Sequence, residues 1–291
     1  MQKSMTTFLR YGRRKYQLFF MKERQHRPLL NGIELLKDAR QNKCKVSTGC
    51  ERIDALLEGG LCEGHVTELV GPSSSGKTQV CLKSASHVAR NYSGTVMYFD
   101  SGNSFSAKRI SHFLKQQPLD PSNAEGDKVL QQVMNRIVCH SVYNIFTLLD
   151  MLSKLIIDLK SQIQRQVRML IIDSLSSLIA PVLGGGGPHG HALMVTTGFL
   201  LKEIAHEHNI SILVTNHTVA GEGGSSKPAL GESWKSIPHV RLLLSPHDAT
   251  SNSCVSILKH PFLASTSCHS QCRDRQALYE ASSCSESHPT Y

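Results

Sequence analysis

No run of about 18 apolar residues occurs anywhere in the chain, so no membrane-spanning helix is predicted. No secretory hydrophobic region is predicted either. The nine cysteines are an odd number, which points away from a disulfide framework and toward a reducing compartment. The paired spacing of a zinc module is absent too, although Cys268, Cys272, Cys284, His260 and His269 lie near one another in sequence. Acidic residues are missing before Glu23. Residues 1–30 hold Lys3, Arg10, Arg13, Arg14, Lys15, Lys22, Arg24 and Arg27 against that one acid. This arm accounts for +7 of the formal net charge of +9, and the remaining 261 residues for +2. The basic balance therefore belongs to the arm, and the core does not read as a nucleic-acid surface. The arm is compatible with phosphate contact, with an Arg-rich transit peptide, or with a solvated and poorly ordered start.

What is present is a globular composition, with 40% hydrophobic and 19% charged residues in 291. After the arm, residues 31–46 read as a linker with one short helix through Ile33, Leu35, Leu36 and Ala39. Strands and helices then alternate. Strands are predicted at 66–70, 95–99, 136–140, 168–172, 210–215, 240–244 and 254–258. Helices are predicted at 77–90, 107–116, 145–163 and 191–208, with loops around 180–191 and 218–229. Continuous apolar strands alternating with helices predict an α/β fold, a mostly parallel central sheet flanked by helices. From Ser265 the pattern stops, so residues 265–291 are expected to be an irregular tail. Ligands of such sheets sit at the carboxyl ends of the strands. Gly71, Asp100, Asp173 and Asn216 all lie just past predicted strand ends, on one rim.

Gly71-Pro72-Ser73-Ser74-Ser75-Gly76-Lys77-Thr78 fits the phosphate-binding pattern G-x-x-x-x-G-K-[ST]. Its glycines let backbone N–H groups turn inward around a β-phosphate. Lys77 reaches the β- and γ-phosphates, and the Thr78 hydroxyl ligates Mg2+. The helix that follows aims its positive end at the same anion. A second carboxylate is needed for the metal. Met169-Leu-Ile-Ile-Asp173 supplies an apolar strand ending in Asp, about 100 residues downstream.

The motifs then form a series. Ser47-Thr-Gly49 and Ile53-Asp54-Ala-Leu56-Leu57-Glu-Gly-Gly60-Leu61 precede the Gly-rich loop, which continues into Gln79. Tyr98-Phe-Asp100-Ser, Leu170-Ile-Ile-Asp173-Ser174 and Val214-Thr-Asn216-His217 follow in order. The chain resembles the eukaryotic branch of the RecA-like strand-exchange recombinases, over residues 47–264. Thr215-Asn-His217, Lys227-Pro-Ala-Leu-Gly231 and Trp234 make it most similar to the recombinase paralogues of the D branch. The resemblance implies a RecA-like P-loop ATPase core using ATP and Mg2+ in the nucleus during homologous recombination. Its implied partners are other recombinase paralogues and single-stranded or branched DNA. Motif and resemblance together give a nucleotide set of Gly71, Pro72, Ser73, Ser74, Ser75, Gly76, Lys77, Thr78, Gln79, Arg109, Asp173 and Asn216, with Thr78 and Asp173 holding the metal. A solvated helix arginine is the alternative reading of Arg109.

Two departures shape the expectation. The position of the family's catalytic glutamate is Gly102, so no carboxylate there orients the attacking water. Loss of a general base slows chemistry by about 10²- to 10⁴-fold. The stretches matching the DNA-binding loops hold no Lys or Arg in the first and Lys227 alone in the second, so the core should bind DNA weakly. His217 stands where the family carries a glutamine that relays nucleotide state. The expectation is an ATP-holding accessory protein that hydrolyses slowly and helps load the main recombinase on single-stranded DNA. The alternatives are an efficient DNA-stimulated ATPase of the strand-exchange or helicase kind, and an interaction module with a vestigial site.

Overall fold

The computed structural model describes residues 31–34, 37, 44–115, 123–161, 166–184, 188–220, 226–246, 253–263 and 271–272. The chain divides into two units, residues 1–42 and 43–291. In the first, Asn31 starts a helical turn: its Oδ1 accepts from the backbone N–H groups of Ile33 and Glu34, both at 3.0 Å. The basic arm, and Leu35, Leu36 and Ala39 of the expected linker helix, lie outside the described residues.

In the second unit, a two-residue ribbon of β1 (Lys45–Val46) and β2 (Leu61–Cys62) brackets α1 (Glu51–Leu56). Gly60 enters β2 at φ +116°, and a Cβ there would stand 2.3 Å from the Val46 carbonyl, so only glycine fits this turn. The main sheet follows: β3 (Val66–Gly71), β4 (Thr95–Asp100), β5 (Ile137–Ser141), β6 (Val167–Asp173) and β7 (Ser211–Ala220). It continues with β8 (Ser226–Pro228), β9 (Val240–Pro246), β10 (Ser253–Lys259) and β11 (Gln271–Cys272). The spatial order is β11-β10-β9-β3-β7-β6-β4-β5, with β8 attached to β7. From β9 to β5 every pairing is parallel, while β10, β11 and β8 add antiparallel. The expected α/β fold with a mostly parallel central sheet is thus the observed one.

The helices are α2 (Lys77–Asn91), α3 (Ala107–Lys115), α4 (Asn123–Arg136), α5 (Ile145–Lys160), α6 (Leu175–Leu183), α7 (Pro188–His208) and α8 (Gly231–Lys235). On one sheet face Val80, Leu82, Ala85 and Val88 of α2, with Ile110 and Leu114 of α3, pack against Leu69, Val96, Tyr98, Ile171, Leu213 and Leu242. On the other, α5, α6 and α7 bury Leu152, Ile156, Ile179, Leu201 and Ile204. Every residue of β3 is buried, as a central strand covered on both faces must be. Edge strand β5 buries only Ile137. Among the described residues, no helix is long and apolar enough to cross a membrane.

The structure differs from the sequence expectation most in four places. Helix α6 runs through Leu183 and α7 begins at Pro188, so most of the expected 180–191 loop is helical. Proline suits a first helical position, where its missing N–H has no partner to lose. Strand β7 continues past residue 215 to Ala220, because Thr218, Val219 and Ala220 pair with Pro228, Lys227 and Ser226. The second expected loop is therefore largely a hairpin. Helix α4 fills a polar stretch whose pattern shows no element. Finally, β11 sets two residues of the expected irregular tail against Ser253 and Cys254 of β10.

Candidate nucleotide site

The rim where the parallel strands end holds the polar chemistry. Strand β3 ends at Gly71, where a Cβ would lie 2.4 Å from the Leu244 carbonyl and 2.5 Å from Ser75 Oγ. No side chain fits, and the backbone alone occupies the start of the loop. Ser73 and Ser74 are exposed at its tip, and Ser75 is buried beneath. Gly76 closes the loop in the left-handed region, at φ 95°, and α2 begins at Lys77 with no acid in its first turn. An open helix N-terminus behind a tight glycine turn is a cradle for an anion.

Lys77 is 5% exposed. Its Nζ donates to the carbonyls of Gly71 at 2.8 Å and Pro72 at 2.7 Å, and to Ser75 Oγ at 3.4 Å. Burial lowers its pKa, and the neighbouring Asp173 carboxylate opposes that shift. The ammonium thus rests on loop oxygens within the cradle. Thr78 and Gln79 are half-buried in the first turn of α2.

Asp173 ends β6, 4% exposed. Its Oδ1 accepts from Thr215 Oγ1 at 2.6 Å. Its Oδ2 accepts from the Tyr98 hydroxyl at 3.0 Å and Ser104 Oγ at 3.3 Å. Burial, followed by nearby acidic groups including Asp173, raises the Tyr98 pKa far above its ordinary value, so this hydroxyl stays a donor. Asp100, in register with Asp173 on the adjacent strand, is 3% exposed. Its carboxylate accepts from the backbone N–H of Gly102 and Ser104 (both 3.1 Å) and Phe105 (2.8 Å), and from Ser104 Oγ (3.2 Å). A buried lysine and a buried carboxylate face a glycine loop at a helix N-terminus. This donor set fits a nucleoside triphosphate with Mg2+.

Comparison with known protein families matches residues 39–269 to Rad51. The chain belongs to the Rad51 family. The DNA repair protein RAD51 homolog 4 of Bos taurus is 37% identical over 231 residues, covering 77% of this chain and 67% of the relative. The protein of that name in Mus musculus is 37% identical over 223 residues, 74% of this chain and 65% of the relative. The probable DNA repair protein RAD51 homolog 4 of Dictyostelium discoideum is 31% identical over 247 residues, 74% and 70% of the two chains. The chain spans about two thirds of the length of these relatives, and it falls with the recombinase paralogues of the Rad51 family.

In this Rad51-family chain, Gly71 to Gln79 form the turn from β3 into α2, and the Asp173 carboxylate acts on Lys77 from the end of β6. Arg109 is half-buried on α3, its backbone N–H donating to Ser106 Oγ at 3.3 Å. Asn216 is placed differently from these residues. It is fully buried, and its Nδ2 donates to Glu68 Oε1 at 2.7 Å. Successive strand residues face opposite ways, so with Thr215 on Asp173, Asn216 points to the far side of the sheet. The residue that does reach the rim is His217, in register with Gly71. Burial first, and then the Lys77 ammonium, lower its pKa, while Asp173 pulls the other way. Tyr98, Thr215 and Ser104 are absent from the sequence-derived set. Strand alternation held the signal for Tyr98, which lies two residues before Asp100 and so shares its face.

Proposed function

We propose that this chain is an ATP-holding accessory protein of homologous-recombination DNA repair, of the D-type paralogue kind. It acts in the nucleus within a complex of recombinase paralogues and helps load the main recombinase on single-stranded DNA. The fold family and the three RAD51 homolog 4 relatives support the repair role. In the site, backbone N–H groups of the Gly71–Thr78 loop and the α2 N-terminus would hold the phosphates, and Lys77 would supply positive charge to the β- and γ-phosphates. Thr78 and Asp173 would hold Mg2+, which supplies charge neutralisation between the phosphates when bound.

One observation carries the choice of a holder over an engine. The cradle is intact, but the position that should activate water is Gly102, and the nearest carboxylate cannot substitute for it. Asp100 is buried and already accepts four hydrogen bonds. A carboxylate so satisfied is a weak base. The hairpin adds a second limit: Lys227 is its one described cation, giving little phosphate neutralisation. The nucleotide then acts as a structural ligand that stabilises the folded, assembled form by mass action.

The test is nucleotide binding and phosphate release by the full chain and Lys77→Ala, each with and without single-stranded DNA. Mg2+-dependent ATP binding lost in Lys77→Ala, with slow release in both DNA conditions, is the expected result. DNA-stimulated turnover on the order of 1 s⁻¹, ordinary for an enzyme, overturns the reading.

A further inference from the structure

Three hydroxyl groups converge on the Asp173 carboxylate from three separate segments: Tyr98 of β4, Thr215 of β7 and Ser104 of the 101–106 turn. All three are neutral donors, so they orient the carboxylate without cancelling the charge that a cation needs. Their division is uneven. Oδ1 takes the short 2.6 Å bond from Thr215, and Oδ2 takes the other two. Tyr98 is fully buried, and Thr215 likewise. Neither hydroxyl can turn to solvent, so each is committed to Asp173. Ser104 also bonds Asp100 at 3.2 Å, tying the turn that contains Gly102 to the same carboxylate.

We infer that Tyr98 and Thr215 are positioning residues for the metal: their hydroxyls fix the orientation in which the Asp173 carboxylate would hold Mg2+. This rests on the nucleotide reading above. Partners that orient a ligating group tune metal affinity by about 10- to 100-fold. A merely structural role, satisfying a buried acid, would instead show as lost stability with no change in metal dependence.

Methylanthraniloyl-ATP binding by the full chain, titrated with Mg2+ and repeated in EDTA, separates the two. Wild type is compared with Tyr98→Phe, Thr215→Val and Thr215→Ser. The half-saturating Mg2+ concentration should rise about 10-fold or more in Tyr98→Phe and Thr215→Val. Affinity in EDTA should stay unchanged, and Thr215→Ser should return to the wild-type midpoint. Tyr98→Phe keeps the ring that packs the core, so it serves if Thr215→Val fails to fold. Wild-type Mg2+ midpoints in both variants overturn this inference alone, as does an equal loss of binding with and without Mg2+. A wild-type chain that binds no nucleotide under any condition overturns the nucleotide reading as well.

Discussion

A Cβ added at Gly102 would meet nothing within 4 Å, and the position is exposed. Its backbone N–H is fixed by Asp100 Oδ1, so a side chain would leave from a held turn into open space. Gly102→Glu should therefore fold normally and place a carboxylate beside the cradle. ATP turnover of the full chain should rise by about 10²-fold, within the range for one general base. Phosphate release at saturating ATP checks it, and unchanged turnover with unchanged ATP affinity rejects Gly102 as the position of the missing base. At this scale the sequence was most legible where chemistry fixes residue types in a row, as in Gly71 to Thr78. It was least legible where the decision lies in side-chain direction. Asn216 and Thr215 are adjacent letters, yet one reaches Glu68 and the other Asp173 on opposite sheet faces.

At the scale of elements, Glu68 of β3 is the central tie. Fully buried, it accepts from Arg241 Nε of β9, from Asn216 Nδ2 of β7 at 2.7 Å and from Trp234 Nε1 of α8 at 2.9 Å. The strand that delivers the phosphate loop is thus bonded to both neighbouring strands and to the helix after the hairpin. Arg241 is 5% exposed, so Arg241→Met leaves a buried carboxylate without its cation. Such a change costs about 3–5 kcal/mol, to be read as a lowered midpoint in urea unfolding. An unshifted midpoint removes the ion pair from the account of stability. None of this network was visible beforehand, because ion pairs across strands distant in sequence carry no local pattern. Strands β3, β4 and β6 and helices α2 and α5 were visible, since their apolar spacing is strong and continuous. Helix α4 and the far half of β7 were not. The first is polar, and the second is extended by pairing with Ser226-Lys227-Pro228, a stretch with no period of its own.

For the molecule as a whole, the resolved histidine shifts share one sign. His87, His208, His217, His239 and His260 all sit below the ordinary value, burial being the largest cause in each. His239 is the furthest, held at about 4 against an ordinary 6.5. Its ring stacks on His65 at 4.6 Å, its Nδ1 accepts from Val66 N–H at 2.9 Å, and Lys202 and Lys259 add positive charge nearby. The unfolded chain takes up these protons first, so folding stability is full above pH 6.5 and falls as the pH drops toward 4. Urea midpoints at pH 7.5 and 5.0 should differ in that direction. The difference should narrow in His239→Asn, which keeps an acceptor for Val66. Equal midpoints at the two pH values would count against it. The uneven global charge, by contrast, was plain in the sequence, since residues 1–30 carry most of it.

Strand β7 bonds a different partner on each side, Asp173 through Thr215 and Glu68 through Asn216, before running on into the hairpin. Such a strand cannot slide. A slip of one residue would turn the amide toward the Asp173 carboxylate and the threonine toward Glu68, breaking both sets of bonds at once. Motion of the hairpin can therefore reach the phosphate loop only as a tilt or twist of a strand whose index is fixed. The same restriction runs in reverse, from the Gly71–Thr78 loop to the hairpin.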